Sequence, residues 1–256
     1  MIRAPATDWI CDAPLIIAHR GASAYAPENT LSAFRLAEQL GADGIELDAR
    51  LTGDRRVVVL HDRTLDRTTS GTGSLSDHSL EEIRRLDAGS SFEARFAGER
   101  ILTLEEALEA MAGRVLINVH LVNHDTPGDS LPEAAVAIVQ RMGLQPRVLL
   151  SSFNPRTLRR VRRLAPEIPT GLLVTPVTGR LKRRIVRWIT PHWAYHPGDP
   201  LVSPDLIQAE HLRGRRVVVW TVDIPSRIRQ LLAWGVDGVI TDVPDVARRV
   251  RDERIR

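Results

Sequence analysis

The chain has 256 residues, 43% hydrophobic and 26% charged, with a formal net charge of +3 at pH 7; this supports one large core and excludes a disordered chain. Of its 35 basic residues only Lys182 is a lysine, and the arginines are scattered among 32 acidic residues, which excludes a dedicated nucleic-acid stripe. Cys11 stands alone, excluding an intrachain disulfide framework or a cysteine metal cluster.

No segment before the first apolar run reads as a signal-peptide core, and no run reaches the roughly 18 residues of a membrane span. A soluble cytoplasmic protein without stable membrane insertion is therefore expected, and homo-oligomerisation stays open. In chain order, β-rich runs stand at "LIIAH" (15–19), "DGIELD" (43–48), "VLINVH" (115–120), "VLLSSF" (148–153), "TGLLV" (170–174), "WAYHP" (193–197), "RVVVWTV" (216–222) and "DGVITD" (237–242). Helical patterns lie between them at 30–40, 104–111, 132–142, 155–164, 179–188, 204–212 and 225–234, several opening on proline or a polar cap. Eight strands alternating with helices predict an α/β fold, a (β/α)8 TIM barrel spanning 1–256 as one domain.

A ninth run, "RVVVLHD" (56–62), follows the second strand too closely for a parallel crossover and is expected to fold back as a hairpin. A turn centred near Asp54 and Arg55 would set His61 opposite Asp48. The Gly-, Ser- and Thr-rich chain to about residue 100 then reads as a small subdomain inserted after the second strand, at about 53–100.

Active sites of such barrels form at the carboxyl ends of the strands. There the first strand ends in His19 and Arg20, the second in Glu46 and Asp48, and the third in His120, while the hairpin adds His61. Strand alternation puts Glu46 and Asp48 on one face, where two ionised carboxylates repel. A divalent cation relieves that repulsion, and His120 would complete a mixed oxygen and nitrogen set; the alternative is pairing with Arg20 and Arg50 on a barrel rim. His19 and His61 can divide general base and general acid between them, and the fork of Arg20 suits a phosphate.

"AHRGASAYAPENTLSAF" (18–34), "GADGIELDARLT" (41–52), "VVVLHDRTLDRTTSGTG" (57–73), "TLEEAL" (103–108), "WTVD" (220–223) and "WGVDGVITDVPD" (234–245) together resemble the glycerophosphodiester phosphodiesterase family across nearly the whole chain. The resemblance implies a metal-dependent hydrolysis of small-molecule glycerophosphodiesters to glycerol 3-phosphate and an alcohol. It implies calcium or magnesium as cofactor, His19 and His61 as acid/base pair, Arg20 as phosphate contact, Glu46 and Asp48 as metal ligands, and Trp220 as pocket wall. The departures are on the third strand, where the family's Asn-x-Glu-x-Lys becomes Asn118-Val119-His120-Leu121-Val122, and at Asp223, where asparagine is usual. His120 keeps a ligating atom but loses a charge, which opens the site to manganese, cobalt or zinc; Val122 removes a cation facing the phosphate. Alternatives are a phosphodiesterase for lysophospholipids or another polyol phosphodiester, and a non-catalytic phosphodiester-binding descendant.

Ser152, beside Ser151, is expected to face the site without the elbow of a serine nucleophile. His196 is a candidate for the pocket wall, with a core histidine as the alternative, and His124 is a further site candidate. The 179–188 segment places Leu181, Ile185 and Trp188 opposite basic residues; a barrel helix with a solvated basic face is expected, and contact with an anionic membrane is the alternative. "PENT" is expected to cap the first helix through Asn29 or Thr30.

Overall fold

A computed structural model describes residues 7–123, 125–126 and 128–255; the candidate His124 lies outside the described residues. In chain order the elements are β1 (Leu15–His19), α1 (Leu31–Gln39), β2 (Gly44–Leu51), β3 (Val57–Val59), α2 (Leu80–Ile83), α3 (Leu104–Met111), β4 (Leu116–Leu121), α4 (Leu131–Arg141), β5 (Val148–Ser152), α5 (Pro155–Leu164), β6 (Thr170–Val174), α6 (Arg180–Ile189), β7 (Ala194–Pro197), α7 (Pro204–His211), β8 (Arg216–Val219), α8 (Pro225–Trp234), β9 (Gly238–Thr241) and α9 (Pro244–Ile255). β1 pairs in parallel with both β2 and β9, which closes eight parallel strands into a TIM barrel with β3 as an antiparallel appendage on β2.

Local chemistry sets the helix starts. Thr30 caps α1 by accepting from the Ala33 amide, and Ser79 and Thr103 form reciprocal boxes with Glu82 and Glu106. Prolines occupy the first turn of α5, α7 and α8, where a missing N–H costs nothing. The inner faces of the helices pack on strands that are buried along nearly their whole length, as parallel strands covered on both sides must be.

Register builds the site. His19 lies beside Glu46 and Glu46 beside Asn118; one step toward the strand ends, Asp48 lies beside His120 and His120 beside Ser151. The chain between β2 and α3 has its own small apolar core, with Val58, Leu60, Leu65, Leu75, Ile83 and Ile101.

Three expectations are corrected. The hairpin turn is centred on Asp54 alone, with Arg55 at φ 60 and Thr52 paired to Arg56, so Asp48 faces Leu60 and His61 falls one residue further on. α9 and the short α2 were not anticipated; the arginines and acids of α9 obscure Ala247 and Val250, which pack into the core. In α6 the inward face is Arg183, Val186 and Arg187, while Leu181, Ile185 and Trp188 face solvent, the reverse of the expected burial.

Phe34 is the largest fully buried side chain, held between α1 and the barrel. Phe34→Ala is expected to lower unfolding stability by about 3–5 kcal/mol, read as a reduced urea midpoint with unchanged slope.

Candidate active site

The approach to the site is a backbone feature. Arg20 and Gly21 take positive φ values of 56 and 83, and a Cβ on Gly21 would lie 2.6 Å from the Ala33 carbonyl carbon. Only glycine fits there. The turn lets the Arg20 amide donate to Glu46 Oε2 at 3.1 Å, and lets the Asn29 amide donate to the Arg20 carbonyl at 2.9 Å. Asn29, itself at φ 60, donates from its side chain to Asp48 Oδ2 at 2.9 Å and accepts from the Asp48 amide at 3.2 Å. Of the two capping candidates, Thr30 caps the helix while Asn29 fixes a site carboxylate.

Both imidazoles are oriented by carboxylates. His19 Nδ1 lies 2.7 Å from Asp242 Oδ1, and His61 Nδ1 lies 2.7 Å from Asp62 Oδ1, so each pair leaves Nε2 as the ring nitrogen outside that bond. Burial lowers the His19 pKa, but the Asp242 bond and nearby Glu46 outweigh it and the net shift is upward. Asp242 is held in turn: Ser23 donates to Oδ1 at 2.9 Å, and Asp223 accepts from the Asp242 amide at 2.8 Å. Asp223, the departure from the usual asparagine, is thus an acceptor for backbone at the end of β9.

Arg20 is clamped among acids. Its Nη1 donates to Glu28 at 2.8 Å, and its Nε lies 3.1 Å from Asp48 Oδ2 without hydrogen-bond alignment. Arg67, from the inserted segment, donates to both Glu28 and Asp62 at 2.6–3.0 Å and so joins the supports of Arg20 and His61.

Glu46, Asp48 and His120 are all buried and offer ligand atoms within 4.8 Å of one another. His120 Nδ1 lies 2.9 Å from Asp48 Oδ1 and 4.0 Å from Glu46 Oε1. Burial, with Asp48 beside it, pushes the Glu46 carboxyl up to about 7. Burial also acts to raise Asp48, but the His120 bond and Arg20 outweigh it and hold the group far below the usual carboxylate range. His120 is lowered by burial despite Asp48, which favours the neutral, ligating imidazole. Beside the cluster, His120 Nε2 and both amide atoms of Asn118 are buried without a hydrogen-bond partner among the described residues. A carboxylate pair with one member only partly compensated, a neutral imidazole and unpaired polar atoms fit a divalent cation.

These side chains share a cavity of about 60 Å³, lined by His19, Arg20, Glu46, Asp48, His61 and His120, with Asn118, Phe153, Leu173, Trp220 and Ile240 completing the wall. Trp220 donates from its ring nitrogen to the His196 carbonyl at 2.8 Å and packs edge-on against Phe153, which packs edge-on against His120. A larger cavity of about 590 Å³ opens at the amino ends of the strands, where Arg216 is paired with Asp237 at 2.7 Å and none of the described lining residues is a histidine or a glutamate.

Two candidates are not brought to the cavity. Ser152 Oγ donates to the Leu121 carbonyl at 3.0 Å and accepts from the Asn154 amide at 3.2 Å, which ties strand ends together. His196 is fully buried against Gly171 inside the barrel, with its pKa lowered to about 3 by burial and the neighbouring His192 and His120. Strand alternation directs it inward, below the cavity. Conversely Asn29, Asp242, Asp62, Glu28 and Arg67 escaped the reading of strand ends because each supports another side chain instead of lining the cavity, Asp242 and Asn29 across 223 and 19 residues of sequence and Asp62 from the position next to His61.

The sequence model of the glycerophosphoryl diester phosphodiesterase family matches residues 19–246. A glycerophosphodiester phosphodiesterase of Caldanaerobacter subterraneus subsp. tengcongensis is 40% identical over 232 residues, 90% of this chain and 95% of that protein. The structure of an Oleispira antarctica phosphodiesterase in complex with the product sn-glycerol-3-phosphate superposes with a TM-score of 0.84 at 30% identity, covering 94% of this chain and 97% of that one. A glycerophosphodiester phosphodiesterase from Agrobacterium tumefaciens gives a TM-score of 0.80 at 32% identity, covering 92% and 99%.

Because the His19 pKa is raised in the fold, its stabilisation is complete below the unfolded value near 6.5 and is lost as pH rises through the folded value. Asp242→Asn is expected to lower the His19 pKa in an NMR titration of metal-free protein and to weaken that pH dependence of stability. An unchanged His19 titration would contradict the assigned hydrogen bond.

Proposed function

Since the chain belongs to the glycerophosphoryl diester phosphodiesterase family, we propose that it hydrolyses glycerophosphodiesters to glycerol 3-phosphate and an alcohol with a divalent metal ion, as a soluble enzyme of glycerol and lipid metabolism in the cytoplasm. The observation that carries the reading is the meeting of two carboxylate-oriented histidines, an arginine and an O/O/N donor set in one cavity. The product named in the Oleispira complex supports the same substrate class.

Arg20, fixed by Glu28 and Asp48, presents its guanidinium to a phosphoryl oxygen. One of His19 and His61 accepts the proton of the attacking hydroxyl and the other protonates the departing alcohol oxygen; attack by water gives glycerol 3-phosphate directly, whereas attack by the substrate glycerol hydroxyl gives a cyclic phosphate that water then opens to glycerol 3-phosphate. Their Asp242 and Asp62 partners fix the ring orientation and stabilise the imidazolium that forms. Glu46, Asp48 and His120 would hold the metal, which supplies Lewis-acid neutralisation of phosphoryl charge when bound. Trp220 and Phe153 form the apolar wall of the cavity.

The nitrogen donor sets this ligand group apart from an all-carboxylate one. Calcium or magnesium follows from the family, and His120 extends the choice to manganese, cobalt or zinc. Val122, where the family carries lysine, is buried at the end of β4 and does not line the cavity, so among the lining residues Arg20 is the permanent cation.

Release of glycerol 3-phosphate from glycerophosphocholine, assayed with each divalent ion in turn, is the test. His19→Ala and His61→Ala should each lower kcat by about 10²–10⁴-fold, and His120→Glu should move the optimal ion toward calcium or magnesium. Binding of glycerophosphocholine with no turnover under any ion would instead identify a non-catalytic phosphodiester-binding protein.

A further inference from the structure

α6 is built the wrong way round for a helix that only covers a barrel. No residue of it is fully buried, and Leu181, Ile185, Trp188 and Ile189 are 71%, 48%, 67% and 54% exposed. The inward face is instead held by polar contacts. Arg183 donates to the Pro176 carbonyl at 2.9 Å and to that of Thr178, while Arg187 reaches the fully buried Glu210 and lies over the Tyr195 ring at 5.6 Å. Between these arginines Val186 packs against the small core of Leu158, Leu172, Val174 and Tyr195. With Arg183 and Arg187 fixed inward, the helical period forces the apolar stripe outward.

At about 100° per residue the exposed Lys182 and Arg184 flank the stripe on its two sides. Arg213, from the turn after α7, stacks over the Trp188 ring at 5.3 Å. Residues 177–190 contain no acidic side chain. The apolar surface continues at the site end of the helix: Val177, in the turn after β6, is 91% exposed. Its neighbour Pro176 lies against Gly198, which in turn approaches the pocket-wall residue Trp220.

We infer that α6 and the adjoining turn form a peripheral docking surface for an anionic lipid bilayer, with Leu181, Ile185 and Trp188 entering the interface and Lys182 and Arg184 on the headgroups. An outward apolar stripe bordered by cations is the arrangement that lies in the plane of a membrane interface. A second copy of the chain is disfavoured as occupant, because two such faces would oppose like charges with no acid between them. The surface does not span a bilayer; among the described residues no helix is long and apolar enough to cross one.

Cosedimentation of the full chain with vesicles tests this, using pure phosphatidylcholine against an equimolar mixture with phosphatidylglycerol at low salt. Partition onto the anionic vesicles is expected to exceed that onto neutral ones by about tenfold or more and to fall with added salt. The variant L181S/I185S/W188S and, separately, K182E/R184E should each lose most of that partition. Both should keep the wild-type thermal midpoint and the wild-type turnover of soluble glycerophosphocholine, since these residues lie outside the catalytic cavity. The readout is partition, so it is independent of whether hydrolysis proceeds as proposed. Equal partition on both vesicles, no partition on either, or unchanged binding by the triple variant overturns the inference. A dimer that the triple variant dissolves in size-exclusion chromatography also overturns it, by showing that a second copy covers the stripe.

Discussion

Two carboxylates one residue apart on a buried strand are the constraint around which the rest of the site is organised. Glu46 and Asp48 face the same way because β2 alternates, and burial makes their mutual repulsion expensive. The protein compensates one of them fully: Asp48 accepts from Asn29, bonds His120 and lies beside Arg20. Glu46 receives the Arg20 amide and little more, which is why its carboxyl is pushed up to about 7 by burial and by Asp48. A site left short of positive charge in this way is suited to a cation.

That shortage explains the surrounding architecture. The left-handed pair Arg20 and Gly21 turns the chain so that one amide and one guanidinium reach the two carboxylates. Arg67, contributed by the inserted segment, binds the partners of Arg20 and His61 together. The insertion therefore acts on the site twice: His61 lines the cavity, and Arg67 acts through Glu28 and Asp62. On the opposite side Asp242, held by Ser23 and Asp223, sets the ring of His19.

The barrel was legible because parallel strands buried on both faces give compact β-rich runs, and 170–174, 104–111, 155–164 and 225–234 have the bounds expected of them. The first ring of site residues was legible for the same reason, as polar residues at strand ends stand out against apolar neighbours. What stayed hidden depends on three dimensions. The hairpin register turned on one left-handed residue, Arg55, which no local pattern announced. Asn29 looked like a helix cap and proved to hold Asp48, because an asparagine can serve either end of a turn. His196 sits at a strand end and points into the barrel as the site residues do, yet it is buried against Gly171 and does not line the cavity. α6 defeated the rule that apolar faces turn inward, since Arg187 turns in to pair with the buried Glu210 and the helical period then turns Leu181 outward.

His120 is where these threads meet: it lies in an acidic pocket, bonds Asp48, and leaves its second nitrogen unpartnered among the described residues. If Glu46, Asp48 and His120 together hold a divalent ion, adding that ion to chelator-treated protein must stabilise the fold by mass action. Thermal unfolding at neutral pH, with and without each divalent ion, measures this directly in the wild type and in Glu46→Gln. The wild-type midpoint should rise with at least one ion and that of Glu46→Gln should rise far less; a wild type indifferent to every ion, or a Glu46→Gln protein stabilised equally, would contradict the assignment of the cluster as a metal site.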